Sequence, residues 1–207
     1  DLPGLREALL TVHWPEPDVP VQALVEGRHP AQRRLAFEEL LAHHLSLRRL
    51  RHRMRRHGAP LFDAGGGLVQ RFVDALPFTM TGAQRRVVDE VRHDVAQGHP
   101  MMRLVQGDVG SGKTVVATAA ALMAVEAGWQ AALMAPTELL AEQHARNLEQ
   151  WLEPLGIEVV WLAGKVKGRE RQGRLERVAG GAGQVVVGTH ALFQGDVVFQ
   201  RLGLVII

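Results

Sequence analysis

Short apolar runs alternate with longer amphipathic segments through the second half of the chain. The apolar runs predict strands at 101–105, 131–135, 159–162, 185–187 and 204–207, the last one read as a buried strand. The segments between them predict helices at 115–125, from Thr137 to about residue 152, and at 168–178. Strands that alternate with helices in this way predict an α/β fold with a doubly wound parallel sheet.

The first half of the chain has the spacing of helices. We expect short helices at 5–10 and 21–25, and a long helix at 31–57 with an apolar stripe formed by Phe37, Leu40, Leu41, Leu47 and Met54. Thr81 is placed to cap a further helix whose inward positions are Ala83, Val87, Val88, Val91 and Val95. We therefore divide the chain into a helical linker segment at 1–75 and a sheet domain at 76–207.

Charge and composition narrow the class of protein. The net charge is +2, but residues 31–57 hold eight arginines against two glutamates, which is typical either of a contact with an anionic partner or of a solvated helix end. The chain has no cysteine, and no apolar run approaches the ~18 residues of a membrane helix, so we expect a cytoplasmic protein without a membrane partner. The first residues and the apolar end lead us to expect part of a longer polypeptide.

One glycine-rich loop fits a complete chemical pattern. Gly107-Asp108-Val109-Gly110-Ser111-Gly112-Lys113-Thr114 matches G-x-x-x-x-G-K-[ST] at every fixed position. The glycines let backbone N–H groups surround phosphate oxygens, Lys113 would reach the β- and γ-phosphates, and the Thr114 hydroxyl would ligate Mg²⁺. An ordinary flexible loop is the alternative, but a predicted strand before it and an apolar helix after it favour an ATP site.

Further polar turns follow the predicted strands. Pro136-Thr137, Gly164 and Gly188-Thr189-His190 each come directly after an apolar run, as the glycine-rich loop does. Ligands of open parallel sheets bind at the carboxyl ends of the strands. These turns and the loop are therefore expected to form one site.

These segments together resemble the superfamily 2 helicases. The glycine-rich loop and Ala135-Pro136-Thr137-Glu138-Leu139-Leu140-Ala141 are similar to motifs I and Ia, and Val187-Gly188-Thr189-His190-Ala191-Leu192 is similar to motif Ib. Leu76-Pro77-Phe78, Thr81 and Gln84 resemble the Q motif. The resemblance covers residues 35–207 and is strongest to bacterial DNA helicases that remodel stalled forks and branched junctions. It implies a RecA-like P-loop sheet flanked by helices.

The resemblance also implies roles for single residues. Gln84 would hydrogen-bond the adenine edge, with Phe78 stacked nearby, although without the family they would be read as a solvent-facing residue and a core aromatic. Contacts to the DNA backbone would come from Pro136, Thr137, Gly164, Gly188, Thr189 and His190, with Lys165 and Lys167 near the phosphates. Thr137 is equally a helix cap, and His190 alone would be read as a packed polar residue.

Some parts of the family pattern are not among the 207 residues. The resemblance implies an acidic box after Ile207, a second motor domain with an arginine finger, and a wedge domain that grips the junction. We therefore expect this chain alone to bind ATP weakly and to hydrolyse it at no useful rate.

Three alternative functions remain open. The translocase module of a transcription-repair coupling factor shares the start of the loop, but usually has an aromatic residue where Ser111 stands. A P-loop ATPase switch that acts on protein would not need the turns after Ala135 and Val187. A degenerate scaffold domain would not need an intact Lys113 and Thr114.

Overall fold

The computed structural model describes residues 2–62, 65, 67–162, 164, 166 and 168–207. These residues form two compact units, one that ends at His57 and one that begins at Gly58. The helix at Gly67–Ala75 lies in the second unit, although the predicted division falls at residue 75. The functional division into a linker and a motor stays a prediction.

The first unit contains three helices. They are α1 (Leu5–His13), α2 (Val21–Val25) and α3 (Pro30–Arg55). Buried Ala8 and Ala31 lie on α1 and α3, which pack together. The predicted long helix is confirmed. In the described part of the chain, however, four residues of its apolar stripe are exposed to solvent: Phe37, Leu40, Leu41 and Leu47.

The second unit is a parallel sheet with flanking helices. Its helices are α4 (Gly67–Ala75), α5 (Gly82–Val95), α6 (Lys113–Glu126), α7 (Glu138–Leu152) and α8 (Gly168–Ala179). Its strands are β1 (Gln130–Met134), β2 (Val159–Leu162), β3 (Val185–Gly188) and β4 (Leu202–Ile206). The strands lie in the order β2-β3-β1-β4, and every pairing is parallel. No helix in the described ranges has the length and apolar character to cross a membrane.

Both faces of the central strands are covered. Alternate residues of β1 and β3, such as Leu133 and Val187, join a large core with α4, α5, α6 and α7. Their neighbours Ala132 and Val186 face a smaller core that includes Val178 of α8. Because side chains alternate along a strand, continuously apolar strands need cover on both faces. The almost wholly apolar run at 115–125 of α6 is largely buried in the large core, as its sequence predicts.

Gln130 is a buried polar residue that joins three parts of the sheet domain. Its amide nitrogen donates to the carbonyl oxygens of Val178 and Gly183 at 2.9 and 2.7 Å. Its side-chain oxygen accepts from the Arg201 N–H at 2.9 Å, where the β1–β4 register shifts. The side chain is therefore fully hydrogen-bonded in a position where an apolar residue would leave backbone groups unpaired.

Three details of the predicted fold are wrong. Residues 101–105 are not a strand, because they have no strand pairing within the described sheet, and Leu104 is exposed. Strand β4 is half-buried or exposed instead of buried, because it lies at the edge of the described sheet, bonded to β1. Ala83 is also exposed, since the inward face of α5 begins four to five residues later, at half-buried Val87 and buried Val88.

An ion-pair cluster holds the segment at 101–105 against α5. The Arg103 guanidinium donates to Asp94 at 2.8 Å and to Glu90 at 2.6 Å. These carboxylates raise the pKa of Arg103 above its ordinary value, with the Asp94 hydrogen bond as the largest cause. Side-chain contacts thus fix the approach to the glycine-rich loop where sheet pairing does not.

Candidate nucleotide and nucleic-acid site

The glycine-rich loop folds as a tight turn into α6. The Ser111 N–H donates to the Asp108 carbonyl at 3.2 Å, and Gly110 and Gly112 have φ values of 82° and 78°. A Cβ on Gly107 would lie 2.7 Å from the Ser111 hydroxyl. The turn therefore depends on glycine at these positions, as a backbone cradle for an anion requires.

Lys113 and Thr114 form the first turn of α6, which begins directly after the loop. The exposed Lys113 ammonium donates to the carbonyl oxygens of Gly107 and Asp108 at 2.6 and 2.9 Å. The Thr114 carbonyl accepts from the buried Thr118 hydroxyl at 2.8 Å, which fixes this turn. A helix N-terminus with a cation folded over it has the electrostatics that a phosphate group needs.

Gln84 joins the N-terminus of α5 to this loop. Its side-chain oxygen accepts from the Thr81 N–H at 2.8 Å, and the Thr81 hydroxyl accepts from the Gln84 N–H at 3.2 Å. Its amide nitrogen donates to the Ser111 carbonyl at 2.8 Å. The structure thus brings Gln84 to the loop, while its contact with adenine stays a prediction.

Phe78 lines a different part of the surface. It borders a cavity of about 600 Å³ that is also lined by Val73, Met80 and Arg85 of α4, α5 and their connection. The ring is 45% exposed, so it is not the core aromatic of the alternative interpretation. Its predicted stacking on adenine is not tested by this arrangement.

The three turns after β1, β2 and β3 lie at one edge of the sheet. Met134 and Leu162 both pair with Gly188, so these strands end in register. The Ala135 N–H donates to the Gly188 carbonyl at 2.8 Å, and a Cβ on Gly164 would lie 2.7 Å from the Glu138 carboxylate. The expectation that these turns come together therefore agrees with the geometry.

The predicted nucleic-acid residues differ in exposure. Pro136, Thr137 and His190 are exposed, whereas Thr189 is buried and its hydroxyl accepts from the Ala191 N–H at 3.5 Å. The Thr137 hydroxyl caps α7 by accepting from the Leu140 N–H at 3.3 Å. Both threonine hydroxyls therefore make structural hydrogen bonds, as the alternative interpretation of Thr137 proposed, and the side chains of Thr137 and His190 are exposed.

Gly188 is held too tightly for any larger residue. A Cβ there would lie 2.7 Å from the Leu162 carbonyl and 2.9 Å from a Leu192 methyl group. Gly188 thus allows the close approach of β2 and of the short helix at His190–Phe193. Lys165 and Lys167 lie outside the described residues.

His144 is a residue of the site that sequence reasoning missed. It borders a cavity of about 370 Å³ that is also lined by Lys113, Thr114 and Met134. Burial lowers the pKa of its imidazole. The signal in the sequence is its spacing, since position 144 follows Ala141 by three residues and precedes Leu148 by four, and both of these are buried on α7.

The described residues offer no ready-made metal cage. They contain no cluster of three or more histidines and carboxylates that would hold an ion alone. A Mg²⁺ ion that arrives with a nucleotide needs few protein ligands, because phosphates and waters supply the others. The Thr114 hydroxyl, in the first turn after the cradle, fits this requirement.

Comparisons with known proteins agree on one kind of relative. Residues 81–207 match the family described as DEAD/DEAH box helicase. The chain is 56% identical over 204 residues to the ATP-dependent DNA helicase RecG of Haemophilus influenzae, and 41% identical over 206 residues to RecG of Bacillus subtilis. Each alignment covers 99% of this chain, which spans 29% of the relative's length.

A solved structure agrees with the sequence relatives. It shows RecG bound to a three-way DNA junction, and it matches with a TM-score of 0.79 and 43% sequence identity. The match covers 85% of this chain and 24% of the solved chain.

Proposed function

Because this chain belongs to the DEAD/DEAH box helicase family, we propose that it is the ATP-binding part of a DNA helicase that remodels branched DNA. The predicted resemblance to helicases that act on forks and junctions is confirmed by identities of 56–58% to RecG proteins. The predicted RecA-like fold class, a parallel sheet flanked by helices, is also confirmed.

The proposal rests on a direct contact between the segment that resembles the Q motif and the phosphate-binding loop. Gln84 from the N-terminus of α5 donates directly to the Ser111 carbonyl of the phosphate-binding loop. The loop lies 27 residues farther along the chain. A generic P-loop does not need this contact, and the contact supports the proposal because it holds the residue assigned to the base next to the loop assigned to the phosphates.

Different residues of the site are assigned to the phosphates, to Mg²⁺ and to the base. Lys113 would exchange its carbonyl partners for phosphate oxygens, and the cradle Gly107–Thr114 would donate backbone N–H groups. Thr114 would hold Mg²⁺, and Gln84 and Phe78 would hold the base. Bound ATP with Mg²⁺ supplies the hydrolysis energy, and Lys113 and Thr114 are the residues of this chain that we assign to that chemistry.

DNA would bind at the strand-end edge. Pro136, Thr137 and His190 are exposed there, and Gly164 and Gly188-Thr189 set the close packing of the turns. Contacts of this type go to the phosphate backbone and carry no sequence information, which suits an enzyme that recognises the shape of a junction. The solved RecG bound to a three-way junction supports DNA as the partner.

Some expectations about the whole protein stay predictions. They are the acidic box after Ile207, the second motor domain, the wedge domain, a cytoplasmic location and the slow hydrolysis by this chain alone. The relatives are about three times longer than the part that this chain covers, so the activity itself belongs to the proposal.

The test is ATP hydrolysis by a full-length polypeptide that carries this chain. It is measured without DNA, with single-stranded DNA and with a forked duplex, for the native protein and for Lys113→Ala. Arg146→Ala is a control, because Arg146 is a cation on an exposed part of α7.

We expect the strongest stimulation by the fork, its loss in Lys113→Ala, and its retention in Arg146→Ala. Hydrolysis that no DNA changes would contradict the proposal and favour a switch that acts on protein.

A further inference from the structure

His144 has a buried polar atom without a partner. Its Nδ1 is inaccessible to solvent and makes no hydrogen bond within the described structure. A buried polar group left unpaired costs about 1–3 kcal/mol, so native proteins keep few of them. The ring is therefore expected to find a partner in some state of the working protein.

The cavity beside His144 is the one bordered by Lys113 and Thr114. Its other walls are mainly apolar side chains of α6, β1 and β4, such as Leu133 and Ile206. The charged groups that line it are Lys113 and Arg103, both cations. A neutral imidazole suits these surroundings, and burial lowers its pKa in that direction.

The same helix reaches the strand-end edge. Thr137 caps α7, and His144 lies seven residues later, about two turns or ~10 Å along the axis. Between and beyond them, the buried residues Ala141, Ala145 and Leu148 fix α7 against the core. Because a packed helix moves as a unit, a displacement at His144 also displaces Thr137.

We infer that His144 is a positioning residue that couples nucleotide binding in the Lys113–Thr114 cavity to DNA binding at the N-terminus of α7. Its Nδ1 gains a hydrogen-bond partner when the phosphate end of a nucleotide held in the Gly107–Thr114 cradle, with its waters, reaches this cavity beside Lys113 and Thr114. The orientation of α7 then differs between the two states, and so does the affinity of the Thr137 turn for DNA. This inference rests on the proposed function.

The test measures a coupling factor in a full-length polypeptide that carries this chain. The factor is the dissociation constant of a non-hydrolysable ATP analogue with Mg²⁺, measured without DNA, divided by that measured with a saturating forked duplex. Energetic coupling between two sites is typically about 5- to 150-fold, and the reverse titration must give the same factor.

The variants separate hydrogen bonding from packing. His144→Leu fills similar space without a polar atom, whereas His144→Asn keeps a polar atom near the position of Nδ1. Gln143→Leu is the matched control, because Gln143 is the neighbouring exposed residue of α7. We expect the coupling factor to fall to within about twofold of 1 in His144→Leu, to be largely retained in His144→Asn, and to be unchanged in Gln143→Leu.

The pH dependence of the coupling factor provides a second readout, which a purely structural role of His144 in packing would not change. Burial holds the pKa of His144 below its ordinary value of about 6.5, so protonation would place a charge beside Lys113 and Arg103 only as pH falls through that lowered pKa. Native coupling should weaken over that range, whereas coupling in His144→Asn should not. Full coupling in His144→Leu, or an equal loss in Gln143→Leu, would overturn the inference.

The possible failures are distinguishable. If the native protein binds both the nucleotide and the fork but each independently of the other, this inference fails and the proposed function stands. If it binds neither, the proposed function fails as well.

Discussion

The side-chain amide nitrogen of Gln84 lies 2.8 Å from the carbonyl oxygen of Ser111, and this contact attaches α5 to the phosphate-binding loop. The opposite end of the same amide accepts from the Thr81 N–H at 2.8 Å. One side chain therefore caps a helix and fixes the loop, independently of any contact with a nucleotide. Substitutions at Gln84 should affect the loop as well as the base.

We first predict the effect of Gln84→Glu on nucleotide affinity. The carboxylate can still accept a hydrogen bond from the Thr81 N–H. It would, however, place an oxygen next to the Ser111 carbonyl oxygen, where the amide nitrogen of Gln84 now donates. The affinity for ATP with Mg²⁺ should fall about tenfold, equivalent to ~1.4 kcal/mol. Titrations with fluorescent ATP and GTP analogues measure the affinity for each nucleotide. Gln150→Glu, at an exposed position of α7, is the control.

The ratio of the two affinities decides the role of Gln84. If Gln84 reads adenine, the preference for ATP over GTP disappears in Gln84→Glu. An equal loss for both nucleotides would mean that Gln84 only supports the loop.

A second prediction compares two glycines of the loop. Gly110 and Gly112 both have positive φ, so alanine at either position costs about 1–2 kcal/mol of backbone strain. A Cβ on Gly112 would also collide with the Gln84 amide, whereas a Cβ on Gly110 would meet nothing within 4 Å. Gly112→Ala should therefore weaken nucleotide binding more than Gly110→Ala, as measured by calorimetry. Equal losses would show that backbone strain alone matters.

A third prediction concerns His190, the exposed side chain at the strand-end edge. His190→Ala should weaken binding of a forked duplex about two- to tenfold, as expected for one lost hydrogen bond, without changing nucleotide affinity in the absence of DNA. Fluorescence anisotropy at fixed salt concentration measures this effect. His93→Ala, which replaces an exposed histidine of α5, is the control. Unchanged DNA binding in His190→Ala would remove His190 from the interface.

A fourth prediction tests the buried amide of Gln130. Gln130→Leu would leave two carbonyl groups and the Arg201 N–H without their partner. We expect the free energy of unfolding to fall by about 2–4 kcal/mol in urea denaturation. Gln150→Leu on the exposed face of α7 should change it by less than about 0.5 kcal/mol. A loss in Gln130→Leu no larger than that would contradict this assignment.

A fifth prediction follows from the lowered pKa of His144. The folded protein holds this imidazole neutral at a pH where the unfolded chain binds a proton. Its contribution to stability is therefore present above the ordinary pKa of about 6.5 and is lost as pH falls through the lowered folded pKa. Thermal unfolding midpoints of the native protein and of His144→Gln, measured between pH 5 and 8, should differ in slope below about pH 6.5. Parallel curves would contradict the prediction.

Local pattern determined the elements that depend on near neighbours. The turn of the phosphate-binding loop and the cap formed by Thr81 and Gln84 depend on contacts between residues a few positions apart. The almost wholly apolar run at 115–125 predicted the burial of α6, and the alternation of strands and helices predicted a parallel sheet. These features can be read from sequence because spacing and residue type decide them locally.

Tertiary structure decided the features that depend on distant partners. The apolar run at 101–105 has the composition of a strand, but strand formation needs a hydrogen-bonded neighbour, and Arg103 instead pairs with Asp94 and Glu90 of α5. The bonds of Gln130 span 48 to 71 residues, and His144 meets the loop cavity from another helix. The spacing of His144 places it on the inward face of α7, but no spacing encodes which distant groups a residue meets, because such meetings arise only when the sheet brings its strands into register and packs its helices against them.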